Sequence, residues 1–189
     1  MQEIKNRIIM CAHIIFLKYG IKWIDLDYVA SDCGISRKTL NQYFNRNKLV
    51  DVLIKSKIES YYLSLSAIER ELLCTQEEMI KILAFSKILS YDFSAVFIRD
   101  LKRYYPDNWF LIERFIKGPL KDTVVGNLTA GISEGIYRKD IDVQLLGDVY
   151  FSTFFMMIES ISAQLDVSEQ GKRIEEMNKN FSAGLLVHN

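Results

Sequence analysis

The stretch Asp25-Leu-Asp-Tyr-Val-Ala-Ser-Asp-Cys-Gly-Ile-Ser-Arg-Lys-Thr-Leu-Asn-Gln-Tyr-Phe44 constrains the fold more than any other part of the chain. It reads as two short helices joined by a glycine turn. Asp25 is placed to cap a first helix buried through Leu26, Val29 and Ala30, and Gly34 supplies the positive φ of a tight turn. Ser36 caps the next helix. Ile35 before that cap and Leu40 four residues after it have the spacing of a hydrophobic staple, which fixes the angle at which the second helix leaves the turn.

The second helix has two faces. Leu40 and Phe44 point inward, while Arg37, Lys38, Asn41 and Gln42 gather on the opposite side with Thr39 at its edge. Arg binds guanine bidentately in the major groove, Asn and Gln do the same with adenine, and Lys38 and Thr39 suit phosphates. The layout is that of a DNA-reading helix-turn-helix. The plain alternative is a capped helical hairpin with a solvated polar face.

Charge distribution agrees with a local nucleic-acid footprint. The chain of 189 residues is neutral overall, yet residues 1–60 hold ten Lys or Arg against six Asp or Glu, so the remainder is correspondingly acidic. With 49% hydrophobic residues the chain can bury a substantial core, and two prolines and nine glycines leave no Gly- or Ser-rich linker. Any domain boundary must therefore run through continuous secondary structure.

Cys11, Cys33 and Cys74 form no Cys-x-x-Cys pair and lie in apolar periodic segments, which predicts buried, reduced thiols and a cytoplasmic location. His13 and His188 are far apart, so neither a metal site nor a cofactor is expected. Lys5 and Arg7 precede an apolar run, but Ile4, Ile8, Ala12, Ile15, Phe16 and Tyr19 recur at helical spacing without a cleavage pattern, so an amphipathic helix is expected there. The run Val149–Ile158 is too short to span a bilayer.

Periodicity predicts an all-α chain. Helices are expected near 3–19, 26–33, 37–44 and from Asn47 to about Leu72, then near 76–90, 93–104, 107–129, 144–164 and 168–186. Gly118-Pro119 should kink or break the element at 107–129, and Gly131 to Asp142 reads as a helix end followed by a polar loop. β-Propensity alone would allow a strand at Val149–Ile158; its continuation to Ile161 and Leu165 favours a helix. The organisation expected is a helix-turn-helix domain at 1–46, a linking helix at 47–72 and a helical domain at 73–189.

The first sixty residues resemble the DNA-binding domain of the TetR family of bacterial transcriptional regulators. The resemblance is carried by Ala12, Phe16 and Gly20, by Val29-Ala30, by Gly34-Ile35-Ser36, and by Thr39-Leu40 followed by Tyr43-Phe44. Gly131-Ile-Ser-Glu-Gly-Ile-Tyr-Arg-Lys-Asp140 also resembles a segment of many C-terminal domains in the family. Three positions depart from the pattern. Ile24-Asp25 stands where Thr is usual, Asn41 where an aromatic is frequent, and Asn47-Lys48 where a phosphate-binding lysine sits one place earlier.

The resemblance implies an N-terminal three-helix DNA-binding domain and a C-terminal ligand-binding and dimerisation domain. Arg37, Lys38, Thr39, Asn41, Gln42, Tyr43 and Lys48 would meet DNA, and the last two helices would pair with a second copy to form a homodimer on a palindromic operator. Leu145, Leu146, Val149, Tyr150, Phe154, Met157, Ile158 and Ile161 make the first of those helices apolar on more of its circumference than a surface helix needs. A small apolar or aromatic effector is expected to release the repressor, with Phe85, Phe97, Tyr104, Trp109, Phe110, Tyr150 and Phe154 as candidate pocket lining. Arg99 and Arg103 lie one turn apart and could meet an anion. No nucleophile-base pair or glycine-rich phosphate loop supports an enzyme. The remaining alternative is a helical ligand- or protein-binding module that no longer reads DNA.

Overall fold

The computed structural model describes residues 2–161 and 167–186. Helix α1 (Gln2–Tyr19) is followed by the short pair α2 (Leu26–Asp32) and α3 (Arg37–Tyr43), and then by the long α4 (Arg46–Arg70). Ile8, Ala12, Ile15 and Phe16 of α1 are buried together with Leu26, Val29, Leu40, Leu49 and Leu53, so the first three helices close around one apolar centre against the start of α4. Helix α4 starts one residue before the expected Asn47 because Asn45, not a later residue, supplies the cap: its side chain accepts the amide of Lys48 at 2.9 Å.

The rest of the chain is a helical bundle made of α5 (Thr75–Ser90), α6 (Ala95–Tyr104), α7 (Pro106–Phe115), α8 (Lys121–Ser133), α9 (Val143–Met156) and α10 (Val167–Ala183). The all-α architecture is thus an N-terminal three-helix cluster joined through α4 to a C-terminal bundle. The expected kink at Gly118-Pro119 takes the form of a π-helical turn, Ile116–Leu120, between α7 and α8. Pro119 has no N–H and its ring crowds the carbonyl one turn earlier, and the wider turn absorbs both effects without ending the helix. A second π turn, Met157–Ile161, extends α9, so Val149–Ile158 is helical; the continuation to Leu165 and the position of His188 lie outside the described residues.

Two buried polar clusters fix the bundle. The Tyr150 hydroxyl donates to Asn178 Oδ1 at 2.8 Å and lies 2.7 Å from Ser86 Oγ, while Asn178 Nδ2 donates to the Leu83 carbonyl at 2.7 Å, so α5, α9 and α10 are stitched together at one level. The helix end expected from Gly131 is present, since α8 stops at Ser133, but Tyr137 in the expected polar loop that follows is buried. Its ring covers Gly131, where a Cβ would lie 2.1 Å from it, its hydroxyl donates to Asn127 Oδ1 at 3.2 Å, and its backbone forms a β-bridge with Leu186. Tyr137, with Ile132, Ile136 and Ile141 packed against the core around it, draws the segment back onto the bundle. Cys33 is buried and Cys11 partly so, but Cys74 is exposed, contrary to expectation, because it occupies the N-cap position of α5.

Candidate nucleic-acid interface

Helices α2 and α3 form the hairpin that the sequence implies, and each stage has a local cause. Asp25 caps α2 by accepting the amide of Asp27 at 3.0 Å. Gly34 turns the chain with a φ of +65°, and the Ile35 amide closes the turn on the Ala30 carbonyl at 3.0 Å. Ser36 caps α3: its Oγ accepts the Thr39 amide at 3.0 Å and lies 2.8 Å from Thr39 Oγ1. Leu40 and Phe44 are buried, which leaves Lys38, Asn41 and Gln42 exposed on the outer face, with Arg37, Thr39 and Tyr43 half-buried beside them. Lys48 is exposed in the first turn of α4.

Arg37 is engaged within the chain. Its Nη1 lies 2.9 Å from Asp25 Oδ1 and 3.8 Å from Asp27 Oδ1, so the first turn of α3 is tied to the first turn of α2. The Asp27 amide, and then the Arg37 and Arg46 guanidinium groups, hold the Asp25 carboxyl below its ordinary range. The outward face of α3 free of such ties is formed by Lys38, Asn41 and Gln42.

Arg46 has a positioning role that sequence reading missed. Its Nη1 donates to the Lys22 carbonyl at 2.6 Å and to that of Ile21 at 3.4 Å, and its Nη2 donates to the Ile24 carbonyl. The loop between α1 and α2 thus folds around the first residue of α4. No sequence signal marks this role, because its partners are the backbone carbonyls of Ile21, Lys22 and Ile24 and carbonyl direction is not legible in a sequence.

Helix α6 grips the same loop from the other side. Asp100, only 4% exposed, accepts the amides of Ile21 at 2.7 Å and Lys22 at 2.9 Å on one oxygen, Oδ2. Gly20, at a φ of +79°, passes so close that a Cβ would lie 2.6 Å from that oxygen. Ser94 donates to the Leu17 carbonyl at 2.6 Å. A further polar node joins the cluster to the bundle at Asp92, where Lys57 Nζ lies 2.5 Å and the Tyr61 hydroxyl 2.8 Å from the carboxylate, and His13 Nε2 lies 3.2 Å from the Asp92 carbonyl. Burial first, and then the Lys57 charge, lower the His13 pKa from its ordinary value.

The seven aromatics singled out as pocket lining separate into two groups. Phe85, Phe97, Trp109, Tyr150 and Phe154 are buried, whereas Tyr104 is partly exposed and Phe110 is 60% exposed. Phe97 stacks on Phe16 of α1, Phe85 meets Tyr61 and Phe115, and Trp109 meets Phe155, so these rings serve separate contacts. A groove of about 480 Å³ runs between α5 and α10 past Ile80, Leu83 and Ala183, and one of about 470 Å³ runs between α4 and α7 past Ile58, Tyr62 and Leu111. Neither is lined by any of the seven. Among the described residues no group of three His, Cys, Asp or Glu side chains is placed to hold a metal ion, and no helix is long and apolar enough to cross a membrane.

No protein-family model and no curated relative matches the sequence. Solved structures do match over almost the whole chain. A TetR-family regulator from Agrobacterium tumefaciens superposes with a TM-score of 0.72 at 16% identity, covering 98% of this chain and 99% of that one. The ketosteroid regulator KstR2 of Mycobacterium tuberculosis gives 0.71 at 14% identity, covering 97% and 95%. The regulator FadR from Bacillus subtilis, solved in complex with stearoyl-CoA, gives 0.66 at 18% identity, covering 97% and 99%. The chain therefore has the fold of TetR-family transcriptional regulators, with a helix-turn-helix cluster at the N-terminus and a helical bundle behind it.

Proposed function

We propose that this protein is a homodimeric, sequence-specific DNA-binding repressor that a small apolar or aromatic effector releases from a palindromic operator, and that it acts by binding and not by catalysis. The observation that carries the reading is the seven-residue helix α3, capped by Ser36 and seated on Leu40, which turns Lys38, Asn41 and Gln42 outward as a group. A helix so mounted fits a major groove, and its residue types match purine edges and phosphates. A cytoplasmic location accompanies this reading.

Dimerisation is supported by α9. Leu145, Val149 and Met156 are each more than half exposed and recur along one side of the helix, an apolar stripe suited to a two-fold contact with a second copy. An apolar effector is supported by the grooves past Ile80 and Leu83 and past Ile58 and Leu111, and by the similar folds of a regulator solved with stearoyl-CoA and of a ketosteroid regulator.

Selection from random duplex DNA at two salt concentrations tests the reading. The expected result is a palindrome whose binding weakens as salt rises, because each phosphate contact displaces a counterion. Absence of enrichment at both concentrations would overturn it in favour of a module that does not read DNA.

A further inference from the structure

Beside the hairpin, a cationic and aromatic surface runs from the α1–α2 loop onto the end of α6. Arg37 in the first turn of α3 holds Asp25, and the chain leading into Asp25 carries Lys22 and Trp23, its carbonyls gripped by Arg46. Lys22 Nζ lies 4.5 Å from the centre of the Trp23 ring and 4.7 Å from that of Tyr104, and the Arg103 guanidinium lies 5.5 Å from the centre of the Tyr104 ring. Trp23 is 80% exposed. Among the described residues neither Lys22 nor Arg103 has a carboxylate within ion-pairing distance.

An exposed indole beside Lys22, with Arg103 against the neighbouring Tyr104 and no acidic partner for either cation, is a poor arrangement for a bare surface and a good one for a contact. A DNA backbone alternates phosphates with apolar sugar faces, so rings interleaved with cations are complementary to it in both charge and polarity. The patch lies on the loop that leads into the hairpin, whose Asp25 is tied to Arg37 of α3, and this proximity favours duplex DNA over other anionic partners.

We propose that Lys22, Trp23, Arg103 and Tyr104 form a second DNA contact, on the backbone flanking the site that α3 reads, so that part of the C-terminal bundle touches DNA directly. This rests on the regulator reading above. It gives α6 two tasks, since the helix whose Asp100 holds the loop also presents Arg103 at its end.

The test uses the full chain and two duplexes: the selected operator core alone, and the same core extended by about six base pairs of unselected sequence on each side, roughly half a helical turn. The double variant Lys22→Gln/Arg103→Gln should lose about tenfold in affinity on the long duplex and less than about twofold on the short one. The slope of log affinity against log salt should become shallower by about two per protomer on the long duplex, at roughly 0.9 per phosphate contact. Trp23→Ala should weaken binding to the long duplex at unchanged slope. Circular dichroism melts should match the wild type, because the altered side chains are exposed.

Equal losses on both duplexes, or none on either, would overturn the flanking contact while leaving the operator reading intact. Loss of binding to phosphatidylserine vesicles with DNA binding unaffected would overturn it in favour of a membrane surface. A wild-type protein that binds no duplex in a salt-sensitive way would overturn the regulator reading itself, and that result would come before any variant is made.

Discussion

Replacing Asp100 tests how the N-terminal cluster is held. In Asp100→Ala the amides of Ile21 and Lys22 lose their shared acceptor, and the first of these lies in a buried setting where water does not replace it. Hydrogen bonds to a charged acceptor contribute about 1.5–3 kcal/mol each, and water partly compensates the more accessible Lys22 amide, so a net loss of about 3–4 kcal/mol is expected. Asp100→Asn keeps an oxygen that both amides can reach and loses only the charge, for a cost of about 1–2 kcal/mol. At a urea m-value of about 2 kcal/mol/M, the alanine variant should unfold some 1.5–2 M earlier than wild type and the asparagine variant less than about 1 M earlier. Urea titration followed by circular dichroism reads both. An alanine variant within about 0.5 kcal/mol of wild type, or an asparagine variant as damaged as the alanine one, would refute the role of Oδ2 as a shared acceptor.

Three further outcomes are expected. Asp25→Asn retains a good helix cap but no longer neutralises Arg37, so non-specific affinity for duplex DNA should rise several-fold and its salt slope steepen by about one per protomer; an unchanged slope would show that Arg37 stays tied through Asp27. Iodoacetamide at pH 8 should modify the exposed Cys74 first and Cys33 last, because burial and then the neighbouring Cys11 push the Cys33 thiol up to about 12; mass spectrometry of the labelled peptides gives the order. The folded His13 resists protonation, so the stability it contributes is complete above its ordinary value of 6.5 and falls as pH drops below that value toward the lowered folded pKa. Denaturant midpoints between pH 7.5 and pH 5 should show the fall, and His13→Gln should flatten it.

The sequence made the local parts of this molecule legible. The caps Asp25 and Ser36, the turn at Gly34 and the inward pair Leu40 and Phe44 all follow from spacing over a few residues, and the structure has them where spacing puts them. What escaped depends on residues distant along the chain. Arg37 was legible as an outward cation, but its pairing with Asp25 arises only once α2 and α3 are folded together. Asp100 looked like any acid on a helix, and Arg46 like any base near a helix start; both matter because of backbone groups that a sequence does not orient. The aromatics Phe85, Phe97 and Trp109 had the composition of a ligand chamber, yet composition does not say which neighbour each ring meets. Cys74 follows Leu72 and Leu73 but caps a helix start, where its side chain faces solvent.

The grip of α6 on the first helices bears on protein engineering. A chimaera assembled by grafting the first 46 residues onto a different helical bundle would arrive without the acceptor for the Ile21 and Lys22 amides and without the donor to the Leu17 carbonyl. Such a chimaera would need an acid and a serine rebuilt at the matching places in the recipient helix. Altering the outward face of α3, the proposed DNA-reading surface, asks for much less, because Lys38, Asn41 and Gln42 stand clear of these ties and can be varied while the scaffold beneath them stays as it is.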